Sequence, residues 1–283
     1  MAKVLDGRLV AKEINIVTKR EVDRLIDMGV TPTLAIMRAN QNPSSIQYEK
    51  AATHAMEKVG IETKHVTFSE GTSEESFLKS LAELNEAENI HGILVMQPLP
   101  ENIDLKTVGQ HISPVKDIDG MHALNLGKIM ANDQEAHLPS TAKAVMEIIH
   151  YYKMTVLGSK ITVVGKSNTV GKPLSVLLMN EDATVTVCHE WTKDIMKHTK
   201  SAEILITATG AIGLITKDHV KPNAIVIDVG YNFKNGKGYG DVRYDEVEEI
   251  ASKITPVPGG VGSVTTAALA SQVVNAVKWL QRK

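Results

Sequence analysis

Lys160-Ile-Thr-Val-Val-Gly165-Lys-Ser-Asn-Thr-Val-Gly171-Lys-Pro173 decides how the chain is read. Ile161 to Val164 is a short apolar run of β-branched residues, which reads as a buried strand. It runs straight into a glycine-containing turn and then an apolar helix. A strand, a glycine turn and a helix N-terminus together present backbone N–H groups and the positive end of a helix dipole to a phosphate. The spacing Gly165-x-Ser167-x-x-x-Gly171 departs from the usual G-x-G-x-x-G, so a turn that merely joins strand to helix is a competing reading. The next strand ends at Cys188-His-Glu190. Glu190 lies 25 positions after Gly165, near the spacing of about 20 expected for the acidic partner of a ribose 2′-hydroxyl. A carboxylate there would repel a 2′-phosphate, whereas Lys166 inside the turn would attract one. The alternative is that both are solvated surface charges. Thr207-Ala-Thr-Gly210 and Asp228-Val-Gly230 close two further strands with small residues, which lets a flat cofactor approach the strand ends.

The surrounding composition is that of an ordinary globular protein. The chain has 283 residues, 43% hydrophobic and 23% charged, with a formal net charge of −2. That length suits one large or two modest domains. No basic excess points to nucleic acid, and no polybasic run points to a membrane surface. No window approaches the roughly 20 apolar residues of a spanning helix. Met1–Val10 carries Lys3, Asp6 and Arg8 and does not read as a signal peptide. The single Cys188 excludes an internal disulfide and fits a reducing cytoplasm. The ten histidines are scattered, with no H-x-x-x-H or H-E-x-x-H spacing, so no metal site is expected. His189 is placed beside the adenosine end of a cofactor, and His122 is read as shaping its turn.

Two halves follow. The first predicts a helix over 6–28 ended by Gly29 and Pro32, a buried strand at 33–37, a helix over 44–59 stopped by Gly60, a strand at 65–68, a helix over 73–85 and a buried strand at 92–96. An irregular stretch with Pro98, Pro100 and Pro114 precedes a helix over 141–152. The second half predicts strands at 160–164, 184–188, 204–207 and 224–229 with helices between them, and a last helix over 265–283. Alternating strands and helices imply α/β architecture with mostly parallel sheets. The boundary is placed near 120–140.

Several stretches together resemble the methylenetetrahydrofolate dehydrogenase/cyclohydrolase family: Thr255-Pro-Val-Pro-Gly-Gly-Val-Gly262 with Thr265, Pro114-Val-Lys-Asp-Ile-Asp-Gly120 with His122 and Asn125, Gly92-Ile-Leu-Val95 before Pro98-Leu-Pro100, and Asn42-Pro43 before Ser45-x-x-Tyr48. The cofactor turn, Ala224-Ile-Val-Ile-Asp-Val-Gly230 and Gly240-Asp-Val242 also match. The resemblance implies two α/β domains with a folate cleft between them: 1–120 plus the C-terminal helix 265–283 as the folate domain, and 138–264 as a Rossmann-like NAD(P)-binding domain. It implies a cytoplasmic homodimer acting on tetrahydrofolate one-carbon derivatives, in metabolism that feeds purine synthesis. The family oxidises 5,10-methylenetetrahydrofolate to the methenyl form by hydride transfer to a nicotinamide, and many members hydrolyse methenyl to 10-formyltetrahydrofolate.

Carried across by residue, the resemblance makes Tyr48 the tyrosine that stacks on and orients folate, and Asp119 the carboxylate that grips the pterin. Pro258, Gly259, Gly260, Val261 and Thr265 line the folate and nicotinamide pockets. Gly165, Lys166, Ser167, Val170, Gly171 and Pro173 form the cofactor turn, with His189, Glu190, Thr209, Gly210 and Tyr231 as further cofactor contacts. Tyr48, Asp119 and Gln97 are the catalytic candidates. The departures bear on mechanism. The family lysine, four residues after the tyrosine, is here Ala52. Lys50 is about 200° round a helix from that position and should point away. The family order Val-Gln-Leu-Pro is here Val95-Met96-Gln97-Pro98, and a one-residue shift on a strand moves a side chain to the other face unless a bulge intervenes. Cys-Thr-Pro is replaced by Ser140-Thr-Ala142, and Gly-Pro-Met-Thr by Gly262-Ser-Val-Thr265.

Hydride transfer chiefly needs positioning, whereas methenyl hydrolysis needs a placed acid–base group. The expectation is therefore a dehydrogenase with weak or no cyclohydrolase activity. Three alternatives stand: a bifunctional enzyme with compensating residues such as Gln97, a non-catalytic folate- or nucleotide-binding relative, and another nicotinamide dehydrogenase on this fold. Family habit favours NADP and Glu190 favours NAD.

Overall fold

A computed structural model describes residues 1–69, 71–234 and 237–282. In chain order the elements are β1 (Lys3–Val4), α1 (Gly7–Asp27), β2 (Thr33–Arg38), α2 (Pro43–Val59), β3 (Glu62–Thr67), α3 (Glu74–Glu86), β4 (Gly92–Val95), α4 (Leu105–His111), α5 (Ala123–Met130) and α6 (Ser140–Tyr151). They continue with β5 (Lys160–Val164), α7 (Gly171–Asn180), β6 (Thr184–Cys188), α8 (Ile195–Thr199), β7 (Ile204–Thr207), β8 (Ile225–Asp228), β9 (Asn232–Lys234), β10 (Lys237–Tyr239), α9 (Tyr244–Val247), β11 (Lys253–Ile254) and α10 (Gly262–Leu280).

The chain divides into two compact units. One holds Met1–Ala11 and Thr141–Thr265; the other holds Lys12–Ser140 and everything from Thr266 onward. Residues 1–11 cluster by contact with Thr141–Thr265. The reason is local: β1 pairs parallel with β11, the Gly7 N–H donates to the Gly259 carbonyl at 2.8 Å, and the Tyr152 hydroxyl donates to the Asp6 carbonyl at 3.1 Å.

In the unit that holds Lys12–Ser140, a three-stranded sheet has the order β3-β2-β4, with both pairs parallel. Alternate side chains of the buried central strand serve two different clusters, as the twofold period of a strand requires. Leu34 and Ile36 join Val22 and Leu25 of α1, Ala52 and Met56 of α2, and Leu269, Val273 and Val277 of α10. Ala35 and Met37 join Phe77, Leu81 and Leu84 of α3. Capping defines the helix ends. Asn42 Oδ1 accepts from the Ser44 N–H, Pro43 occupies the first turn, and left-handed Gly60 closes α2 on the Met56 and Glu57 carbonyls. Ser73 caps α3 and Asp104 caps α4.

In the dinucleotide half, six strands run parallel in the order β1-β11-β8-β7-β5-β6. The first crossover, through α7, goes to one side of β5; the next, through α8, returns to the other side. The strand order therefore reverses at β5, and in such sheets ligands bind outside the carboxyl ends at that reversal. β9 and β10 form a separate antiparallel hairpin. Observed strands differ from expectation most at β3, which begins at Glu62 rather than His65. Its polar, largely exposed residues pair along the sheet edge, where alternation is weak. The last helix begins a turn earlier than expected, at Gly262, and Lys283, its expected end, lies outside the described residues.

Candidate functional site

At the carboxyl end of β5, Gly165 has φ +127°, and a Cβ on it would strike the Ala208 carbonyl. A Cβ on Gly171 would strike the Gly165 carbonyl oxygen. Both glycines are therefore fixed by close backbone approach. The Ser167 hydroxyl oxygen accepts from the Val170 N–H at 3.1 Å and from the Gly171 N–H at 3.4 Å. Pro173 is buried in the first turn of α7. The result is a cradle of N–H groups at a helix start with no room for side chains, which fits a pyrophosphate. Lys166 and Glu190, both largely exposed, form an ion pair at 3.4 Å. His189 lies beside them, and its Nδ1 accepts from the Trp191 N–H.

Beneath these strand ends lie two buried carboxylates that the sequence reading did not single out. Asp241 Oδ2 accepts from the Thr207 hydroxyl at 2.8 Å and the Thr209 N–H at 2.6 Å, fixing the loop that carries Thr209 and Gly210. Asp228 accepts from the N–H groups of Gly230, Asp241 and Val242. Burial pushes Asp228 up to about 7, with nearby Asp241 adding to it, against those three N–H donors. Asp228-Val-Gly230 and Gly240-Asp-Val242 thus act as one network joining β7, β8 and the exit of the hairpin. Tyr231 is exposed on that hairpin. In the loop before α10, Pro258 is exposed and Gly260 and Val261 are buried; in the first turn of α10, buried Thr265 donates its hydroxyl to the Gly262 carbonyl.

The other unit holds Tyr48, Gln97 and Asp119. Tyr48 is half-buried on α2 and packs against the cluster that contains Ala52, Met56, Met96 and Ile118. Ala52 and Met96, at 0% and 3% exposure, are both inside that apolar cluster, while Lys50 is exposed. Met96 continues the strand pairing through its N–H to the Met37 carbonyl. Gln97 follows with its side chain exposed and its carbonyl accepting from the Ser45 hydroxyl at 3.0 Å. Next to Tyr48, Glu49 is buried between Arg38, which donates to one oxygen, and His65, 2.7 Å from the other. Burial raises the Glu49 carboxyl, but those two partners outweigh it and hold it below its usual range.

Asp119 is half-buried. Its Oδ1 accepts from the Ser140 N–H at 3.0 Å, and burial raises its carboxyl against the opposing contacts of Ser140. Its backbone is held from α10: Gln272 Nε2 donates to the Ile118 carbonyl at 2.6 Å and the Leu138 carbonyl at 2.7 Å, and Gln272 Oε1 accepts from the Leu138 N–H. Buried Asp117 gathers the Met121 and His122 N–H groups and the Asn125 amide, and burial pushes it up to about 7. Lys116 donates to the Leu84, Asn85 and Ala87 carbonyls at the end of α3. His122 caps α5 through Nδ1. Lys116, Asp117, Asp119 and His122 thus have distinct tasks, and Asp119 spends one carboxylate oxygen on the Ser140 N–H. Among the described residues, no group of three or more His, Cys, Asp or Glu side chains is placed to hold a metal.

A parallel sheet with a phosphate cradle at its reversal point, in one chain with a second α/β unit that carries a half-buried Tyr and Asp, defines a two-unit dinucleotide-binding protein. Comparison with known proteins gives the particular lineage. Residues 139–281 match the NAD(P)-binding domain of tetrahydrofolate dehydrogenase/cyclohydrolase, and residues 5–119 match its catalytic domain. The chain belongs to the tetrahydrofolate dehydrogenase/cyclohydrolase family. It is 42% identical over 278 residues to the bifunctional protein FolD of Bacillus licheniformis, covering 98% of each chain. The bifunctional FolD structure from Campylobacter jejuni superposes with a TM-score of 0.97 at 36% identity, covering 99% of this chain and 100% of that one. The Trypanosoma brucei FolD structure, complexed with NADP and an inhibitor, gives 0.95 at 33% identity, covering 100% and 99%.

Proposed function

We propose that this protein oxidises 5,10-methylenetetrahydrofolate to 5,10-methenyltetrahydrofolate with NAD as the preferred acceptor, and hydrolyses the methenyl product weakly or not at all. The observation that carries the reading is the contrast between an intact cofactor cradle and the apolar cluster enclosing both Ala52 and Met96, at the positions of the family's lysine and glutamine.

A bound nicotinamide supplies the hydride acceptor. The chain's own part is positioning. Tyr48 stacks on and orients the folate, Asp119 holds the amino-pyrimidine edge, and Pro258 to Val261 with Thr265 line the pockets. The lone pair on the folate nitrogen expels the hydride from the methylene carbon, so no strong base is required of the protein. Hydrolysis would require water to add to the methenyl carbon and protons to move from oxygen to nitrogen. An alanine and a methionine offer no group for either transfer. The preference for NAD rests on Glu190, which repels a 2′-phosphate, and on its pairing with Lys166, which occupies the nearest cation. The family resemblance extends the proposal to a cytoplasmic homodimer.

A paired assay on the purified protein tests this. Nicotinamide reduction from 5,10-methylenetetrahydrofolate is followed with NAD and NADP separately, alongside loss of methenyl absorbance. Reduction without accelerated hydrolysis is expected. Efficient hydrolysis would show that another group, Gln97 first, replaces the missing pair. Neither activity would make this a binding protein.

A further inference from the structure

Beside the proposed ribose contact stands an aromatic side chain that hydride transfer leaves without a task. Trp191 follows Glu190 directly and is 78% exposed. The turn that carries it is tied from within. The Trp191 N–H donates to His189 Nδ1 at 3.2 Å, the His189 N–H donates to the Thr192 hydroxyl oxygen at 2.9 Å, and the Thr192 N–H donates to the His189 carbonyl at 2.8 Å. The Lys166–Glu190 pair joins this turn to the Gly165 turn. An indole so exposed adds little to the stability of the fold, yet it is carried on a tied turn and has only two side-chain torsions to lose on binding.

In a sheet of this kind the pyrophosphate lies over the glycine turn and the adenosine ribose meets the acidic residue at the end of the next strand. The base attached to that ribose then lies further out along the end of β6. We propose that Trp191 is the adenine platform of the cofactor site, stacking its indole on the base of an adenine nucleotide whose ribose hydroxyls face Glu190. The proposal rests on the cofactor reading above and adds the residue that recognises the base. Base stacking on an aromatic side chain is sequence-tolerant in nucleic acids because every base has a flat face. Here the site would favour purine nucleotides generally, with the ribose contact setting the rest.

The test uses the full-length protein and its Trp191→Leu and Trp191→Phe variants, with Trp279→Phe as the fluorescence control. Trp279, half-buried against His137 at 4.5 Å between ring centroids, is the only other tryptophan. NAD and AMP should quench the fluorescence of the wild type and of Trp279→Phe. In Trp191→Leu the KM for NAD and the inhibition constant of AMP should rise about ten- to hundredfold. The inhibition constant of nicotinamide mononucleotide, which carries no adenine, should stay unchanged, as should kcat at saturating NAD and Tm. Trp191→Phe should recover most of the loss. If the wild type binds NAD and AMP and Trp191→Leu binds both equally well, the stacking assignment is overturned while the cofactor reading stands. If the wild type binds neither NAD, NADP nor AMP, the cofactor reading falls and takes this inference with it.

Discussion

Ala52 and Met96 change what the site can do by what they remove. Both are sealed in a cluster with Leu34, Ile36, Met56 and Ile118. Restoring a lysine at position 52 alone places an ammonium among apolar groups without an acceptor, which is costly. Restoring glutamine alone leaves an amide unpaired. Ala52→Lys should therefore lower Tm by several degrees and bring little hydrolysis. Ala52→Lys with Met96→Gln should recover part of the stability and bring methenyl hydrolysis well above the sum of the single variants. Additive effects in a double-mutant cycle of Tm and hydrolysis rate would refute the coupling. At the other site, Glu190→Arg should move the ratio of kcat/KM for NAD over NADP towards NADP by tenfold or more, since it exchanges repulsion of a 2′-phosphate for a charge-assisted contact. An unchanged ratio would remove Glu190 from cofactor choice.

At the scale of elements, the strand–turn–helix unit β5–α7 depends on two glycines that backbone approach makes irreplaceable. Gly171→Ala forces a Cβ into the Gly165 carbonyl. The expected result is loss of measurable NAD binding by titration, with folate binding by the other unit retained. Wild-type NAD affinity in this variant would mean that the cradle does not hold the pyrophosphate. This element was readable in the sequence because apolar run, glycine turn and apolar helix are all local signals. The same holds for the buried strands β2 and β4, and for helices with caps such as Asn42 and Ser73. Two-residue β1 and β11, the hairpin β9–β10, and short α4, α5 and α9 were not legible. Such pieces are too short for periodicity and owe their form to partners far along the chain. The site divides in the same way. Tyr48, Asp119 and the glycine turn could be picked out by motif, whereas Gln272, 154 positions from the Ile118 carbonyl it holds, carries no local mark. The Asp228–Asp241 network matched as two separate motifs, and nothing in either announced that they interlock.

For the molecule as a whole, buried carboxylates set a pH dependence that ordinary acid denaturation does not. The Asp228 carboxyl, near 3.8 when unfolded, is pushed up to about 7 in the fold. The folded state then binds more protons between those values, so the stability this group contributes is fully present below pH 4 and is lost as pH rises through about 7. Asp117 acts in the same direction. His137, lowered to about 4 by burial, acts oppositely, adding stability as pH rises from about 4 to its unfolded value of 6.5. The histidine gain tapers off above pH 6.5 while the two aspartates go on losing protons through about 7, so Tm should decline between pH 6.5 and 8. In Asp228→Asn that decline should be shallower, even if the variant starts lower through loss of an N–H acceptor. Parallel Tm–pH curves for the two proteins would show that Asp228 does not titrate there.

Neither unit is a continuous stretch of chain. The dinucleotide sheet ends on β1, made from the third and fourth residues, and that strand pairs with β11 near residue 253. The folate core takes Leu269, Val273 and Val277 from the last helix. During synthesis, therefore, the first strand leaves the ribosome some 250 residues before its partner, and the first α/β unit to emerge lacks a wall of its core until residues 269–277 have followed. Strict folding from the N-terminus one unit at a time is closed to this chain, because each unit waits for residues far downstream of its first element, and a product truncated before residue 253 would leave two incomplete cores for quality control to recognise.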